Sequence, residues 1–71
     1  MVFTAEEASK LQTYLSNKFG TPHINVKMRK NAQDSVEVLI KGEFIGIIYK
    51  DEDEGETSYD FNMAILDTDL V

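Results

Sequence analysis

The sequence predicts an α+β domain in which one N-terminal helix packs on one face of a four-stranded antiparallel meander sheet. Apolar residues recur every three or four positions early in the chain and then alternate every two positions in four later segments. Short turn signals separate those segments, which is typical of strands joined by hairpins. We predict a single domain over residues 1–71, with a helix at about 4–19 and strands at about 23–30, 35–41, 44–50 and 57–66.

Composition limits the classes of protein to which the chain can belong. With 42% hydrophobic residues it is a folding sequence, and with no cysteine it has neither disulfides nor thiolate metal sites. A net charge of −6 disfavours nucleic acid and anionic membranes as partners, because both bind basic surfaces. The N-terminus lacks the basic and apolar regions of a signal peptide. We therefore expect a cytoplasmic protein.

Both ends of the predicted helix carry end signals. Thr4 and Glu7 match a capping box, and Phe3 with Ala8 matches the hydrophobic staple across it. Gly20 can adopt the left-handed conformation that ends a helix, and a proline follows at position 22. The apolar stripe that would lie on the sheet comprises Ala8, Leu11, Leu15 and Phe19.

The first two hairpins determine which strand residues face the helix. We predict that the first hairpin brings Met28 opposite Val36. For the second hairpin, Gly42-Glu43 is suited to a two-residue type II′ turn, which would pair Ile40 with Ile45. Directly opposed residues share a face of the sheet. The predicted helix-facing set on these two strands is Val36, Val38, Ile40, Ile45, Ile47 and Tyr49.

The length of the third hairpin loop decides whether the apolar residues of the last strand face the helix. A five-residue loop, Asp51–Gly55, would pair Ile47 with Tyr59 and Ile45 with Phe61. This loop length therefore defines the predicted register between the last two strands.

The predicted opposite face of the sheet carries a candidate partner-binding site. Its members are Leu39, Phe44, Gly46 and Ile48. Exposed apolar patches on small soluble proteins mark interaction sites, so a protein partner, an identical subunit or a small ligand could dock here. The alternative is that the C-terminal tail covers the patch through Leu70 and Val71.

The acidic run at residues 51–56 provides a second hypothesis, a response to divalent cations through Asp51, Asp53 and Glu56. Carboxylates at alternate positions are typical of the opening of a calcium loop. The glycine falls at the fifth rather than the sixth position, however, and no distal glutamate follows at the required spacing. A solvated hairpin loop is the alternative interpretation, and no metal site is predicted.

No arrangement of residues indicates catalysis. His23 is the single histidine of the chain and has no serine or cysteine nucleophile motif beside it. We therefore predict a protein that is not an enzyme and needs no cofactor. The leading functional hypothesis is a small protein-interaction module, self-association included, that uses the predicted patch or an exposed edge strand.

Two stretches resemble the family named domain of unknown function 3126. They are GEFIGIIYKDEDEGETSYDFNMAILDTDL and the helical segment KLQTYLSNKFGTP, which together span nearly the whole chain. The resemblance implies a short bacterial cytoplasmic protein of the alphaproteobacterial type. The family has no established activity, ligand or catalytic residue to carry over.

Overall fold

The computed structural model describes residues 2–63 and 65–70 and confirms the predicted α+β architecture. One helix precedes a four-stranded antiparallel sheet with the strand order β1-β2-β3-β4. No helix within these residues is both long and apolar enough to cross a membrane. The elements are α1 (Ala5–Phe19), β1 (Ile24–Met28), β2 (Ser35–Ile40), β3 (Glu43–Asp53), β4 (Glu56–Met63) and a terminal 3₁₀ helix (Asp67–Leu70).

The ends of α1 follow the sequence signals. The Glu7 backbone N–H donates to Thr4 Oγ1 over 3.1 Å, and the Thr4 N–H donates to Glu7 Oε1 over 3.0 Å, which completes the capping box. Gly20 ends the helix with φ +66°, and its N–H donates to the Ser16 carbonyl. Because these bonds satisfy terminal backbone groups that the helix cannot pair internally, the start and end of α1 are fixed locally.

The first hairpin has the predicted register, and the second does not. Met28 pairs with Val36 as expected. The second turn uses Lys41-Gly42, with φ values of +51° and +80°, and is therefore type I′ rather than a type II′ turn at Gly42-Glu43. The pairing also shifts between Val38 and Leu39 at a β-bulge.

The bulge reverses part of the predicted face assignment, because it shifts the pairing by one residue, whereas the changed turn shifts it by two and keeps the faces. Val38 pairs with Gly46 and Val36 with Ile48, so Gly46 and Ile48 share the helix-facing side of the sheet. The prediction that Ile47 and Tyr49 face the helix is wrong, because a one-residue shift exchanges the two faces.

The third hairpin also differs from the prediction. The turn is Glu54-Gly55, again with two positive φ values, and Asp53 pairs directly with Glu56. The residues predicted as a five-residue loop therefore include three that extend β3. Tyr59 and Phe61 nevertheless face the helix, opposite Lys50 and Ile48. The predicted final strand ends early, at Met63; residue 64 lies outside the described residues, and 65 and 66 are not in a strand.

The core lies between α1 and the sheet, with Phe3 from the N-terminal segment closing one end. The Phe3 side chain is only 2% exposed, and its N–H donates to the Gln33 carbonyl over 2.7 Å. Gln12 of α1 accepts a 2.9 Å hydrogen bond from the Val26 N–H of β1, which ties the helix to that strand. The buried cluster comprises Phe3, Leu15, Ile24, Val36, Val38 and Ile48.

The molecule is elongated for its size, with extents of 42 × 24 × 23 Å and a radius of gyration of 12.7 Å. A compact chain of this length has a radius of gyration of roughly 11 Å. The last paired residues of β3 and β4 extend beyond the end of β2 as a two-stranded arm, 50–59. This arm carries the acidic run of the sequence.

Candidate interaction surfaces

The four residues predicted to bind a partner do not share one surface. Ile48 is 1% exposed within the core, and Gly46 is buried on the same side of the sheet. Leu39 and Phe44 pair with each other on the opposite face. The assignment of Gly46 and Ile48 to an exposed patch is therefore wrong, because the predicted hairpin lacked the β-bulge that turns them toward the helix. A binding role for Leu39 and Phe44 stays a prediction.

Two other side chains join Leu39 and Phe44 on the sheet face away from α1. The register places Ile47 and Tyr49 on this face. Leu39 and Ile47 are half-buried, whereas Phe44 is 52% and Tyr49 42% exposed. Phe44, Ile47 and Tyr49 line a shallow groove of about 330 Å³. We refer to Leu39, Phe44, Ile47 and Tyr49 as the outer patch.

The C-terminal tail leaves the outer patch accessible. Ile65 and Asp69 line a groove with Phe44, so the tail lies beside the beginning of β3. Phe44 keeps half of its surface exposed, and Leu70 is itself 73% exposed. Val71, the other predicted covering residue, lies outside the described residues. Within the described part of the chain, coverage by the tail is therefore incomplete.

The acidic candidates lie on the arm rather than in a loop. Asp51 and Asp53 belong to β3 and Glu56 to β4, and the pairing of Asp53 with Glu56 places all three on the same face. Residues 2–63 and 65–70 contain no group of three or more Asp, Glu or His side chains arranged to hold a metal ion. The geometry therefore adds no support to the hypothesis of a cation response.

A polar cluster that the sequence did not indicate joins the helix to the arm. Lys50 Nζ lies 2.9 Å from Glu7 Oε2 and donates a 3.0 Å hydrogen bond to Glu7 Oε1, and only 12% of the Lys50 side chain is exposed. The Tyr59 hydroxyl also donates to Glu7 Oε2. The Tyr59 ring packs against Phe3, with ring centroids 5.7 Å apart. Glu7 thus serves as capping residue and ion-pair partner at once, whereas its sequence pattern indicated only the first role.

The hydrogen bonds of this cluster shift the pKa values of Glu7 and Tyr59. The hydrogen bonds that Glu7 accepts, above all from the Tyr59 hydroxyl and next from Lys50, lower the pKa of Glu7 to about 2. Acceptance by Glu7 raises the pKa of Tyr59 to about 12. General acids and bases work best with pKa values near the working pH. Because these two pKa values move away from neutrality, the cluster is suited to holding the arm against the helix rather than to proton transfer.

The Glu7 ion pair is expected to contribute to stability at neutral pH and to lose that contribution in acid. A folded pKa of about 2 lies below the unfolded value of 4.5, so the contribution is complete above about pH 5 and is lost as the pH falls toward 2. We expect Glu7→Gln to lower the free energy of unfolding by about 1–2 kcal/mol at pH 7, after allowance for solvent screening. The difference from the wild type should shrink between pH 5 and pH 2 in urea denaturation.

The matched control for this prediction is Glu6→Gln. Glu6 pairs with Lys10 over 3.2 Å, but both side chains are more than three-quarters exposed. Exposed helix pairs contribute only about 0.3–0.5 kcal/mol. Wild-type and Glu7→Gln curves that stay parallel through the acid range would contradict the role assigned to Glu7.

A groove on the helix side separates α1 from the outer half of the sheet. It measures about 390 Å³ and is mainly apolar. It exists because α1 lies along β1 and leaves the inner side of β4 only partly covered. Its lining comprises Lys10, Leu11, Tyr14, Leu15, Ile48, Tyr59 and Phe61.

Comparison with known proteins identifies the family but no activity. The family model described as "Protein of unknown function (DUF3126)" matches residues 7–69. The chain belongs to this family. The matched range includes the outer patch, the acidic arm and the cluster of Glu7, Lys50 and Tyr59. No curated protein and no solved structure matched the chain.

Proposed function

We propose that this DUF3126 protein is a non-enzymatic protein-interaction module that binds a partner through the outer patch. The supporting observation is the exposure of Phe44 and Tyr49, at 52% and 42%, on a sheet face that no other described element covers. Contiguous exposed apolar side chains on small proteins mark binding surfaces. The patch combines aromatic and branched aliphatic side chains, and aromatic residues are enriched in protein interfaces.

Charge and pKa values support the same class of function. The net charge of −6 disfavours nucleic acid, which leaves a protein surface with complementary apolar groups as the best partner. The pKa values of Glu7 and Tyr59 lie far from neutrality, which suits a structural role better than acid–base catalysis. The absence of cysteine is consistent with the cytoplasm as the place where this module works.

Site-specific photo-crosslinking in the cell of origin would test the proposal. A photoreactive residue at position 44 should form adducts several-fold more abundant than one at position 18, an exposed site on α1. Adding Tyr49→Ser to the position-44 variant should reduce its adducts several-fold, because the substitution removes half of the aromatic surface of the patch. Equal labelling from positions 44 and 18 would overturn the proposal.

A further inference from the structure

The outer edge of β4 is an open hydrogen-bonding surface. Asp53 and Glu56 flank a two-residue type I′ turn, so the Glu56 N–H is directed toward β3. Inward and outward groups alternate along an antiparallel strand. Within the described chain β3 is the one neighbour of β4. The residues whose backbone groups face the open edge are therefore Thr57, Tyr59, Phe61 and Met63.

This edge lacks most of the features by which proteins prevent strands from pairing. Soluble proteins protect edge strands with proline, charged side chains (lysine above all), bulges, short length or a covering element. β4 has eight residues, contains neither proline nor lysine, and pairs with β3 without a bulge. Its two charged residues, Glu56 and Asp60, restrict the registers in which it can pair. The opposite edge differs, since β1 has only five residues and Gln12 of α1 occupies the Val26 N–H. β4 is therefore the edge that is more open to a pairing partner.

The surface area of the chain is consistent with a second copy as that partner. The chain exposes 5369 Å², whereas a compact monomer of 8.1 kDa exposes roughly 4500 Å². The excess of about 900 Å² follows from the elongated shape of the chain, and it leaves surface for an interface of the standard size, in which each partner buries roughly 800 Å². A chain of this size without disulfides also gains stability by self-association.

Charge and the length of paired strand then select the register of a two-fold pairing between β4 strands. When the two β4 strands pair antiparallel about a two-fold axis normal to the sheet, both helices lie on the same side of the joined sheet. Each residue of one β4 then lies opposite a residue of the other β4 whose side chain is on the same side. An axis at Asp60 would place two carboxylates opposite each other, and an axis at Ser58 would oppose Asp60 with Glu56 of the other copy. An axis at Tyr59 avoids both contacts and pairs seven residues of each β4, whereas an axis at Phe61 avoids them but pairs only five. The axis at Tyr59 pairs Ser58 with Asp60 of the second copy.

We infer that the chain forms a two-fold homodimer by antiparallel pairing of β4 with β4 of a second copy, with the axis at Tyr59. The product is an eight-stranded sheet with both helices on one face and both outer patches on the other. Thr57 of each copy lies opposite Phe61 of the second copy, where their outward backbone groups exchange hydrogen bonds. This inference concerns a different surface from the outer patch and does not depend on the binding proposed there.

Sedimentation equilibrium of the full chain tests the dimer. The average mass should rise with concentration from 8.1 kDa toward twice that value. Thr57→Pro removes an outward N–H without breaking a bond to β3, so it should weaken the dimer at least tenfold, whereas Thr57→Ala should not. A wild-type mass that stays monomeric up to millimolar concentration overturns the inference. The crosslinking expected from position 44 would be unaffected by that result.

Disulfide trapping tests the register independently of Thr57→Pro. The chain has no native cysteine, so Ser58→Cys and Asp60→Cys proteins can be mixed and oxidised. The proposed register sets positions 58 and 60 of opposite copies at a spacing that a disulfide can bridge. The mixed disulfide should therefore exceed both homodisulfides several-fold. Dominance of the Asp60→Cys homodisulfide, or no disulfide above that of a Lys18→Cys control, overturns the proposed pairing.

Discussion

Replacement of Phe3 by alanine is expected to lower the free energy of unfolding by about 3–4 kcal/mol, the cost of deleting a buried aromatic ring. Phe3 is 2% exposed and packs in the buried cluster with Val36 and Ile48. The substitution also removes the ring that packs against Tyr59. Since a chain of this length has a total stability of about 4–10 kcal/mol, the loss should be a large share of it. Urea denaturation followed by circular dichroism measures this loss.

Phe19→Ala is the matched control, because it makes the same chemical change at the other end of α1. Phe19 is 51% exposed, so we expect its replacement to cost less than about 1 kcal/mol. Phe3→Leu keeps much of the apolar volume and should retain more stability than Phe3→Ala if the latter is too unstable to measure. Similar losses for Phe3→Ala and Phe19→Ala would show that the N-terminal segment is not part of the core.

The contribution of Phe3 illustrates what local patterns predict and what they do not. The Thr4–Glu7 capping box depends on residues three apart, and the structure contains it as predicted. The same pattern assigned Phe3 only to a staple. Its ring is buried against Val36 and Ile48, and its N–H bonds to the Gln33 carbonyl, all at least thirty residues along the chain. A single apolar residue before a helix has no periodicity from which such a distant contact could be predicted.

The fold class was predictable from the sequence, whereas the registers of two hairpins were not. Alternation specifies a register only when one face is apolar and the other polar. The stretch from Phe44 to Tyr49 is apolar on both faces, so two registers that differ by one residue both place apolar side chains against the helix. The acidic run gave a second false signal. Repulsion between the carboxylates favoured a loop in the prediction. In a strand, however, the side chains of neighbouring residues point to opposite faces, which separates their charges. In addition, Glu52 Oε1 lies 3.8 Å from the positive charge of Lys50 Nζ.

The candidate surfaces were predictable only in part for the same reason. Leu39 and Phe44 were correctly placed on one face, although the predicted register set Leu39 opposite Gly46, because the predicted and observed pairings next to the turn differ by two residues and so keep the face. Ile47 and Tyr49 were assigned to the core and in fact complete the outer patch. The Glu7, Lys50 and Tyr59 cluster joins residues more than forty positions apart. Its assembly follows from the tertiary packing of the arm against α1.

Gly46→Ala is expected to be the second strongly destabilising substitution, with a loss of about 3 kcal/mol, at the upper end of overpacking costs. A methyl group at this position would lie 2.5 Å from the Asn62 carbonyl oxygen and 3.2 Å from Met63 Cα. Both atoms belong to the backbone of β4, so a rotamer change cannot relieve the overlap. Phe61 is a third obstacle, with a ring carbon 2.6 Å away. The melting temperature should fall by about 12–24 °C.

Gly20→Ala separates this steric effect from the conformational preference of glycine. Gly20 has φ +66° and no neighbouring atom within 4 Å of an added methyl group. Its replacement should cost only about 1–2 kcal/mol of backbone strain. In Gly46→Ala, amide exchange should accelerate in β4 more than in β1 and β2, because the overlap forces β4 away from β3. A loss no larger than that of Gly20→Ala, with β4 still protected, would contradict the register in which Gly46 lies opposite Met63.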